Sequence, residues 1–244
     1  MICTARRSGS WLLAAGLEDT KIAGHPSEWF NDNEEPVWCE RWGLSYPIGN
    51  YEQYLAKVIE EGRAGTDIFG VKMLGLNFKD FEGKLRTIPA FRNSSLKDII
   101  PVIFPNTHYI RLTRRNKERQ AISYYRAKSS GVWHDVEGYP LPANMATPAF
   151  DPEEIRRGEE ELKDLDILWE EYFRNQNVTP LHLEYEDLAA NYEKTILNVL
   201  EYIGIKEPQN RIIITPPRFK KQADSTTDEW LAMYVAYKLS RGLS

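Results

Sequence analysis

A short loop near the N-terminus carries side chains suited to binding an anion. The run Arg6 to Ser10 (R-R-S-G-S) follows an apolar stretch, Met1–Thr4, and precedes a second apolar run. A Ser/Gly loop that leads into a helix presents free backbone N–H groups at the positive end of the helix dipole. Ser8 and Ser10 add hydroxyl donors, and Arg7 adds a guanidinium fork that suits phosphate or sulfate oxygens. By itself, this pattern is equally typical of an ordinary Ser-rich helix start, and the Walker A spacing is absent.

A second basic segment, R-R-N-K-E-R-Q-A-I-S, runs from Arg114 to Ser123. Arg114 ends an apolar strand, and Ser123 lies in the helix that follows. Ligands bind at the carboxyl edge of a parallel sheet, so these two side chains are placed to hold one phosphate together. Taken alone, the segment is better explained as a solvated basic helix start. Together, the two segments predict two anion-binding corners, which suit a nucleotide with phosphates at its 5′ and 3′ positions.

An alternation of strands and helices must position these residues. Strands are predicted at Met1–Thr4, Asp67–Leu74, Thr107–Thr113 and Thr179–Tyr185. Helices are predicted at Ser10–Glu18, Asn50–Arg63, Ser95–Ile100, Asn116–Ser129, Asp151–Asn175, Asn191–Ile203 and Asp228–Leu239. The segments 20–42 and 131–150 are predicted to be irregular. Strands separated by helices indicate an α/β fold with a central parallel sheet flanked by helices, and the absence of repeats and linkers favours one domain over 1–244.

Composition excludes several classes of protein. The chain has 31 basic and 36 acidic residues, a net charge of −5, which argues against a nucleic-acid-coating protein. Two cysteines and four scattered histidines form neither a disulfide framework nor a metal-ligand pattern, so no metal is expected. No targeting segment and no run of 18 apolar residues is present, and we expect a cytoplasmic protein without a membrane span.

Several motifs in order carry a family resemblance. M-I-C-T-A-R-R-S-G-S, G-H-P-S-E-W-F, F-G-V-K-M-L, I-R-L-T-R…Q-A-I-S-Y-Y-R-A and L-E-Y-E-D-L resemble the sulfotransferase superfamily, in particular its bacterial trehalose 2-sulfotransferase branch. The resemblance extends to K-Q-A-D-S-T-T-D-E-W near the C-terminus. It implies a P-loop NTPase-like sulfotransferase fold and a homodimer. It also implies transfer of a sulfuryl group from 3′-phosphoadenosine 5′-phosphosulfate (PAPS) to an acceptor hydroxyl.

The resemblance assigns the donor-binding residues. The residues that it places at the 5′-phosphosulfate are Arg7, Ser8, Gly9 and Ser10. It places the 3′-phosphate at Arg114 and Ser123, and it places Gln222 in the C-terminal segment that closes over the donor.

The resemblance also assigns the catalytic residues. Many sulfotransferases take a histidine base from the strand that carries Lys72, but that histidine is absent here. The trehalose branch has a glutamate in G-x-P-x-E-[FYW]-F, which corresponds to Glu28 as general base, while Lys72 and Arg7 stabilise charge on the transferring group. Glu28 as a solvated loop carboxylate, Lys72 as a snorkelling lysine and His25 as a competing base are the alternatives.

The acceptor is expected to be a small hydroxyl compound, such as a sugar or a glycolipid. Glu28, Trp29 and Trp133 are its expected contacts, although Trp29 is also expected to anchor its loop and plain packing explains Trp133 equally well. Two residues depart from the family motif, namely Arg6 and Trp11. The loops 30–50 and 133–150 do not match the trehalose enzyme, so trehalose itself is not supported as the acceptor.

Two other functions fit the same architecture. A P-loop-type small-molecule kinase would share the fold, but the missing Walker A lysine argues against it. A catalytically inactive nucleotide-binding module is the alternative that is not an enzyme. The simultaneous presence of Arg7, Glu28, Lys72, Arg114 and Ser123 favours the transferase.

Overall fold

Four parallel strands form a sheet in the order β2-β1-β3-β4. In chain order the strands are β1 (Ile2–Thr4), β2 (Lys72–Leu74), β3 (Ile110–Thr113) and β4 (Leu181–Glu184). Cys3 of the central strand β1 pairs with Met73 on one side and with Arg111 on the other, and Ile110 pairs with Leu181. The prediction of a central parallel sheet is confirmed. The structure is a computed structural model that describes residues 1–135, 148–206, 212–218 and 223–243.

Helices connect the strands and cover both faces of the sheet. They are α1 (Ser10–Asp19), α2 (Glu35–Trp42), α3 (Tyr51–Arg63), α4 (Gly75–Arg86), α5 (Leu96–Ile103), α6 (Lys117–Ser130), α7 (Pro152–Gln176), α8 (Tyr185–Ala190), α9 (Tyr192–Tyr202) and α10 (Ser225–Arg241). Within the described ranges, none of these helices has the length and apolar content needed to cross a membrane.

The sheet has one hydrophobic core on each face. Successive side chains of a strand point to opposite faces, and β1 follows this rule. Cys3 packs with Trp169 of α7 and with side chains of α3, α4 and α5, whereas Ile2 packs with α1 and α9, for example against Leu13 and Ile196. The α/β class with helices on both faces is therefore confirmed.

Helix boundaries agree with the sequence at α3 and α7, whereas α10 begins at Ser225 behind an Asp224 capping box, earlier than the predicted Asp228. Asn50 accepts hydrogen bonds from the backbone N–H groups of the first turn of α3, and Asp151 does the same for α7. Helices α2, α4 and α8 were not predicted, and no side chain caps any of the three. The prediction that α5 ends before Pro101 is wrong, because the helix continues to Ile103 behind a Ser95 capping box.

A loop lies alongside β2 and brings Glu28 to the sheet. Ser27 forms a parallel bridge with Val71, and the N–H of Lys72 donates to the Ser27 carbonyl at 2.9 Å. The indole N–H of Trp29, the residue after Glu28, donates to the Gly70 carbonyl at 2.9 Å. Strand β2 is shorter than predicted, so Lys72 is its first residue and lies beside this loop.

A substitution at Gly70 tests how tightly this loop packs against the chain before β2. A Cβ at Gly70 would lie 2.7 Å from the backbone nitrogen of Pro26, whereas a Cβ at exposed Gly83 in α4 meets nothing within 4 Å. We expect Gly70→Ala to lower the free energy of unfolding by about 1–3 kcal/mol, because backbone has to move. Gly83→Ala, the matched control, should raise it by about 0.5–1 kcal/mol. Urea unfolding of both variants measures this, and equal effects would contradict the close packing of the loop.

Candidate active site

The loop between β1 and α1 leaves the first turn of α1 open. Gly9, at the N-cap position, has φ 82° and provides no capping side chain, and the first turn contains no acidic residue. Ser8 is fully buried and its hydroxyl bonds to that of Thr4. A Cβ at Gly9 would overlap the ring of Tyr185, so only glycine fits here. The loop is therefore held in place by Thr4 and Tyr185, while the first turn of α1 has no capping side chain.

The two predicted anion-binding corners meet at Arg7. Its Nε donates to Ser123 Oγ at 2.9 Å, and its Nη1 donates to the Trp133 carbonyl. Arg114 Nη1 donates to the Arg7 carbonyl at 3.3 Å. Burial, and then the positive charge of Arg114, lowers the pKa of Arg7 to about 10. The structure thus brings Arg7, Arg114 and Ser123 together as one positively charged cluster.

One nitrogen of the Arg114 guanidinium makes no hydrogen bond with the described residues. Its Nε is buried and has no hydrogen-bond partner among the residues that the structure describes. The carboxylate of Glu186 lies 4.0 Å from this nitrogen, which is too far for a hydrogen bond, and the guanidinium packs over the Tyr185 ring at 4.7 Å. Burial lowers the pKa of Arg114. A buried donor without an acceptor is costly, and an incoming anion would satisfy it.

Glu28 and Lys72 form a buried ion pair on the β2 side of the site. Lys72 Nζ lies 2.6 Å from Glu28 Oε1, and the side chains are 0% and 11% exposed. Glu28 Oε2 accepts a hydrogen bond from Asn31 Nδ2 at 2.6 Å. The alternatives of a solvated Glu28 and a snorkelling Lys72 are therefore wrong, because both charged groups are turned away from water.

The charges of the pair shift both pKa values. Burial by itself would raise the pKa of Glu28, but the ammonium of Lys72 and the hydrogen bond from Asn31 outweigh it and hold this pKa below its usual range. For Lys72 burial dominates and lowers the pKa to about 8, although Glu28 opposes the shift. At pH 7 the carboxylate is ionised, as a general base must be.

Two aromatic side chains close the site between these clusters. The ammonium of Lys72 lies 3.3 Å from the centroid of the Trp11 ring. The imidazole of His134 meets that ring edge-on, with centroids 4.8 Å apart. Burial, and then the charge of Lys72, lowers the pKa of His134 to about 4, so the ring is neutral at pH 7.

The aromatic residues predicted at the acceptor serve mainly in packing. Trp29 is 0% exposed and lies against Trp38, so it anchors the Glu28 loop as expected, while a direct acceptor contact by its ring stays a prediction. The Trp133 ring stacks under the guanidinium of Arg6 at 4.9 Å. His25, the competing base, faces Glu18 at 3.6 Å instead of entering the Glu28 pair.

The C-terminal assignments are only partly visible. Gln222 lies outside the described residues. Asp224, two positions on, caps α10 and forms a two-pronged ion pair with Arg126 at 2.7 and 2.8 Å, and this contact lowers the pKa of Asp224. Across the described ranges, no group of three or more His, Cys, Asp or Glu side chains is arranged to hold a metal ion.

The sequence interpretation missed Asn31 and His134 as members of the site. Asn31 lies three residues after Glu28, within the same loop, and an amide at that spacing was a usable signal. His134 had no comparable signal, because its contact with Trp11 joins positions 123 residues apart, 134 − 11. Only the folded chain shows that contact.

The parallel sheet with a basic loop at its carboxyl edge is the arrangement of an anion-binding α/β protein, and comparison with known families shows which family it is. A family model described as Stf0 sulphotransferase matches residues 1–237, so this chain belongs to the Stf0 sulphotransferase family. Two curated relatives are both named trehalose 2-sulfotransferase. The protein of Mycolicibacterium smegmatis is 26% identical over 259 residues, covering 96% of this chain and 93% of the relative. That of Mycobacterium tuberculosis is 23% identical over 268 residues, covering 100% and 96%.

The buried pair gives a pH-dependent prediction. Glu28→Gln removes the counterion that favours the charged form of Lys72, which should lower the free energy of unfolding by roughly 3 kcal/mol near pH 7. In the unmodified protein Lys72 has a pKa of about 8 and is mostly neutral at pH 9.5, so it gains little from the charge of Glu28 there. The difference in free energy of unfolding between the two proteins should therefore be smaller at pH 9.5 than at pH 7. Urea unfolding at the two pH values measures it. An equal deficit at both would show that the lost interaction is not an ion pair.

Proposed function

We propose that this protein is a PAPS-dependent sulfotransferase, formed by one domain over residues 1–244, that sulfates a hydroxyl group of a carbohydrate or another small acceptor. The observation that carries the proposal is the pair of part-buried arginines beside an uncapped helix start. Arg7 and Arg114 lie close enough to repel each other, and Arg114 Nε has no hydrogen-bond acceptor within the described ranges. Such a cluster is costly until an anion enters it.

The residues present fit the donor. Arg7, Ser8, Gly9 and Ser10 would hold the 5′-phosphosulfate, because their loop opens onto the first turn of α1. Arg114 and Ser123 would take the 3′-phosphate. Ser123 Oγ accepts from Arg7 Nε at 2.9 Å, so Arg7 connects the two ends of the donor site. Gln222 stays a prediction for the segment over the donor.

Glu28 and Lys72 have different roles in the proposed reaction. In sulfuryl transfer, the acceptor oxygen forms a bond to sulfur, the bond from sulfur to the 5′-phosphate breaks, and the acceptor proton needs a base. Glu28 is ionised at pH 7 and takes that proton, which contributes about 10²–10⁴-fold in rate for a well-placed base. Lys72 and Arg7 supply positive charge where negative charge accumulates.

The names of the two relatives support a sugar acceptor. At 23–26% identity this support extends to the class of acceptor, and trehalose itself is not proposed. Exposed Glu34, in the turn after Glu28, adds a carboxylate suited to sugar hydroxyls near the base. Homodimer formation and a cytoplasmic location stay predictions.

Nucleotide binding tests the donor assignment. At 100 times its Kd, 3′-phosphoadenosine 5′-phosphate should stabilise the protein by about 2.7 kcal/mol. AMP at the same concentration should stabilise it far less, because it lacks the 3′-phosphate. Arg114→Met should remove this preference, with a loss of roughly 1.5–3 kcal/mol in binding. Thermal unfolding with each nucleotide measures both effects.

The neighbouring arginine provides the control. Arg115 is 57% exposed and pairs with Asp187, away from the cluster. Arg115→Met should therefore keep the preference for the 3′-phosphorylated nucleotide. Equal stabilisation of the unmodified protein by both nucleotides would contradict the 3′-phosphate assignment.

A further inference from the structure

Lys72 is held in an unusual way for a buried ammonium group. Its Nζ lies 2.6 Å from Glu28 Oε1, yet it has no well-aligned hydrogen-bond acceptor within the described ranges. The contact with Glu28 is therefore an ion pair. The attraction between the two charges fixes the distance between the groups better than it fixes the orientation of the ammonium. The ammonium also makes a second contact, which can define where it points.

The face of Trp11 provides that contact. The ammonium lies 3.3 Å from the ring centroid, well inside the distance of about 6 Å at which the ring quadrupole attracts a cation. Trp11 and Glu28 thus bind the same ammonium, one through a π face and one through a carboxylate. The attraction is strongest for a desolvated cation, and the side chain of Lys72 is 0% exposed.

His134 holds the Trp11 ring in this orientation. The two rings meet edge-on at 4.8 Å with an interplanar angle of 68°, an arrangement that aromatic pairs favour. Because the pKa of His134 is lowered to about 4, its ring is neutral at the pH of the reaction. A neutral ring neither repels Lys72 nor competes with it for the π face.

We propose that Trp11 is a positioning residue of the transfer site, whose indole face holds the Lys72 ammonium against the Glu28 carboxylate. Trp11 is one of the two residues that depart from the family motif. This inference concerns how Lys72 is held, and it rests on the proposed function for its effect on turnover.

The charged groups around Lys72 determine in which direction its pKa should change when Trp11 is replaced. Glu28 and Glu34 on the loop beside β2 favour the ammonium form, whereas Arg7 and burial disfavour it, and together they place the Lys72 pKa at about 8. His134 is neutral and adds no charge. If Trp11 binds the cation, its loss lowers the Lys72 pKa further. If Trp11 only excludes water, its loss leaves that pKa unchanged or raises it towards 10.5.

The test compares Trp11→Leu, which keeps an apolar cover without a π face, with Trp11→Phe, which keeps a ring. Lysine ε-carbon NMR titration reports the pKa of Lys72 without requiring turnover, and Lys72→Arg assigns its signal. We expect Trp11→Leu to lower this pKa by about one unit and Trp11→Phe to stay near the unmodified protein. A pKa that is unchanged or raised in Trp11→Leu overturns the proposal. Trp11→Met is a second ring-free variant should Trp11→Leu not fold.

Transfer assays on the same variants separate this proposal from the proposed function. The alkaline limb of kcat against pH should shift with the Lys72 pKa in Trp11→Leu, while the KM for PAPS changes less than kcat. An alkaline limb that stays in place while the Lys72 pKa falls would contradict a role for this positioning in transfer. Absence of transfer in the unmodified protein would overturn the proposed function alone, because the NMR titration still decides how Lys72 is held.

Discussion

The site depends on one buried ion pair, between Lys72 and Glu28. Taking two charges out of water costs several kcal/mol for each ion, and replacement by apolar side chains is often neutral or stabilising. Stability is thus a weak explanation for a lysine and a glutamate at 0% and 11% exposure. Chemistry is a better one, because the proposed transfer needs an ionised carboxylate and a positive charge, and the pair holds the two in contact.

The rest of the fold places that pair and gathers positive charge beside it. The bridge from Ser27 to Val71 sets Glu28 beside β2, and the carboxyl ends of β1 and β3 deliver Arg7 and Arg114. The net charge of −5 conceals this arrangement, since it averages over the whole chain. Locally, Arg114 Nε has no hydrogen-bond acceptor among the described residues, and a small, highly anionic donor would supply one.

Much of the fold could be predicted because its signals are local. The capped helices α3 and α7 begin where Asn50 and Asp151 indicate, and strands separated by helices indicate a parallel sheet. Helix α4 was missed because it starts directly from β2 with no capping side chain, although Phe78, Phe81 and Leu85 follow a helical spacing.

Which residues touch one another in the site was harder to predict than the chemistry of the site. The family resemblance supplied Glu28, Lys72 and Arg7 as separate assignments, but a sequence does not show that the first two touch. The pairing of Trp11 with Lys72 and His134 arises from three distant segments, so it depends on tertiary structure alone.

Sulfuryl transfer from labelled PAPS to a panel of sugars, with Glu28→Gln beside the unmodified protein, tests the central claim most directly. The account predicts a labelled sugar product from the unmodified protein. It also predicts a kcat roughly 10²–10⁴-fold lower in Glu28→Gln, at a temperature where that variant is folded and still binds 3′-phosphoadenosine 5′-phosphate. Turnover by Glu28→Gln at the unmodified rate would contradict it, because the base would then lie elsewhere.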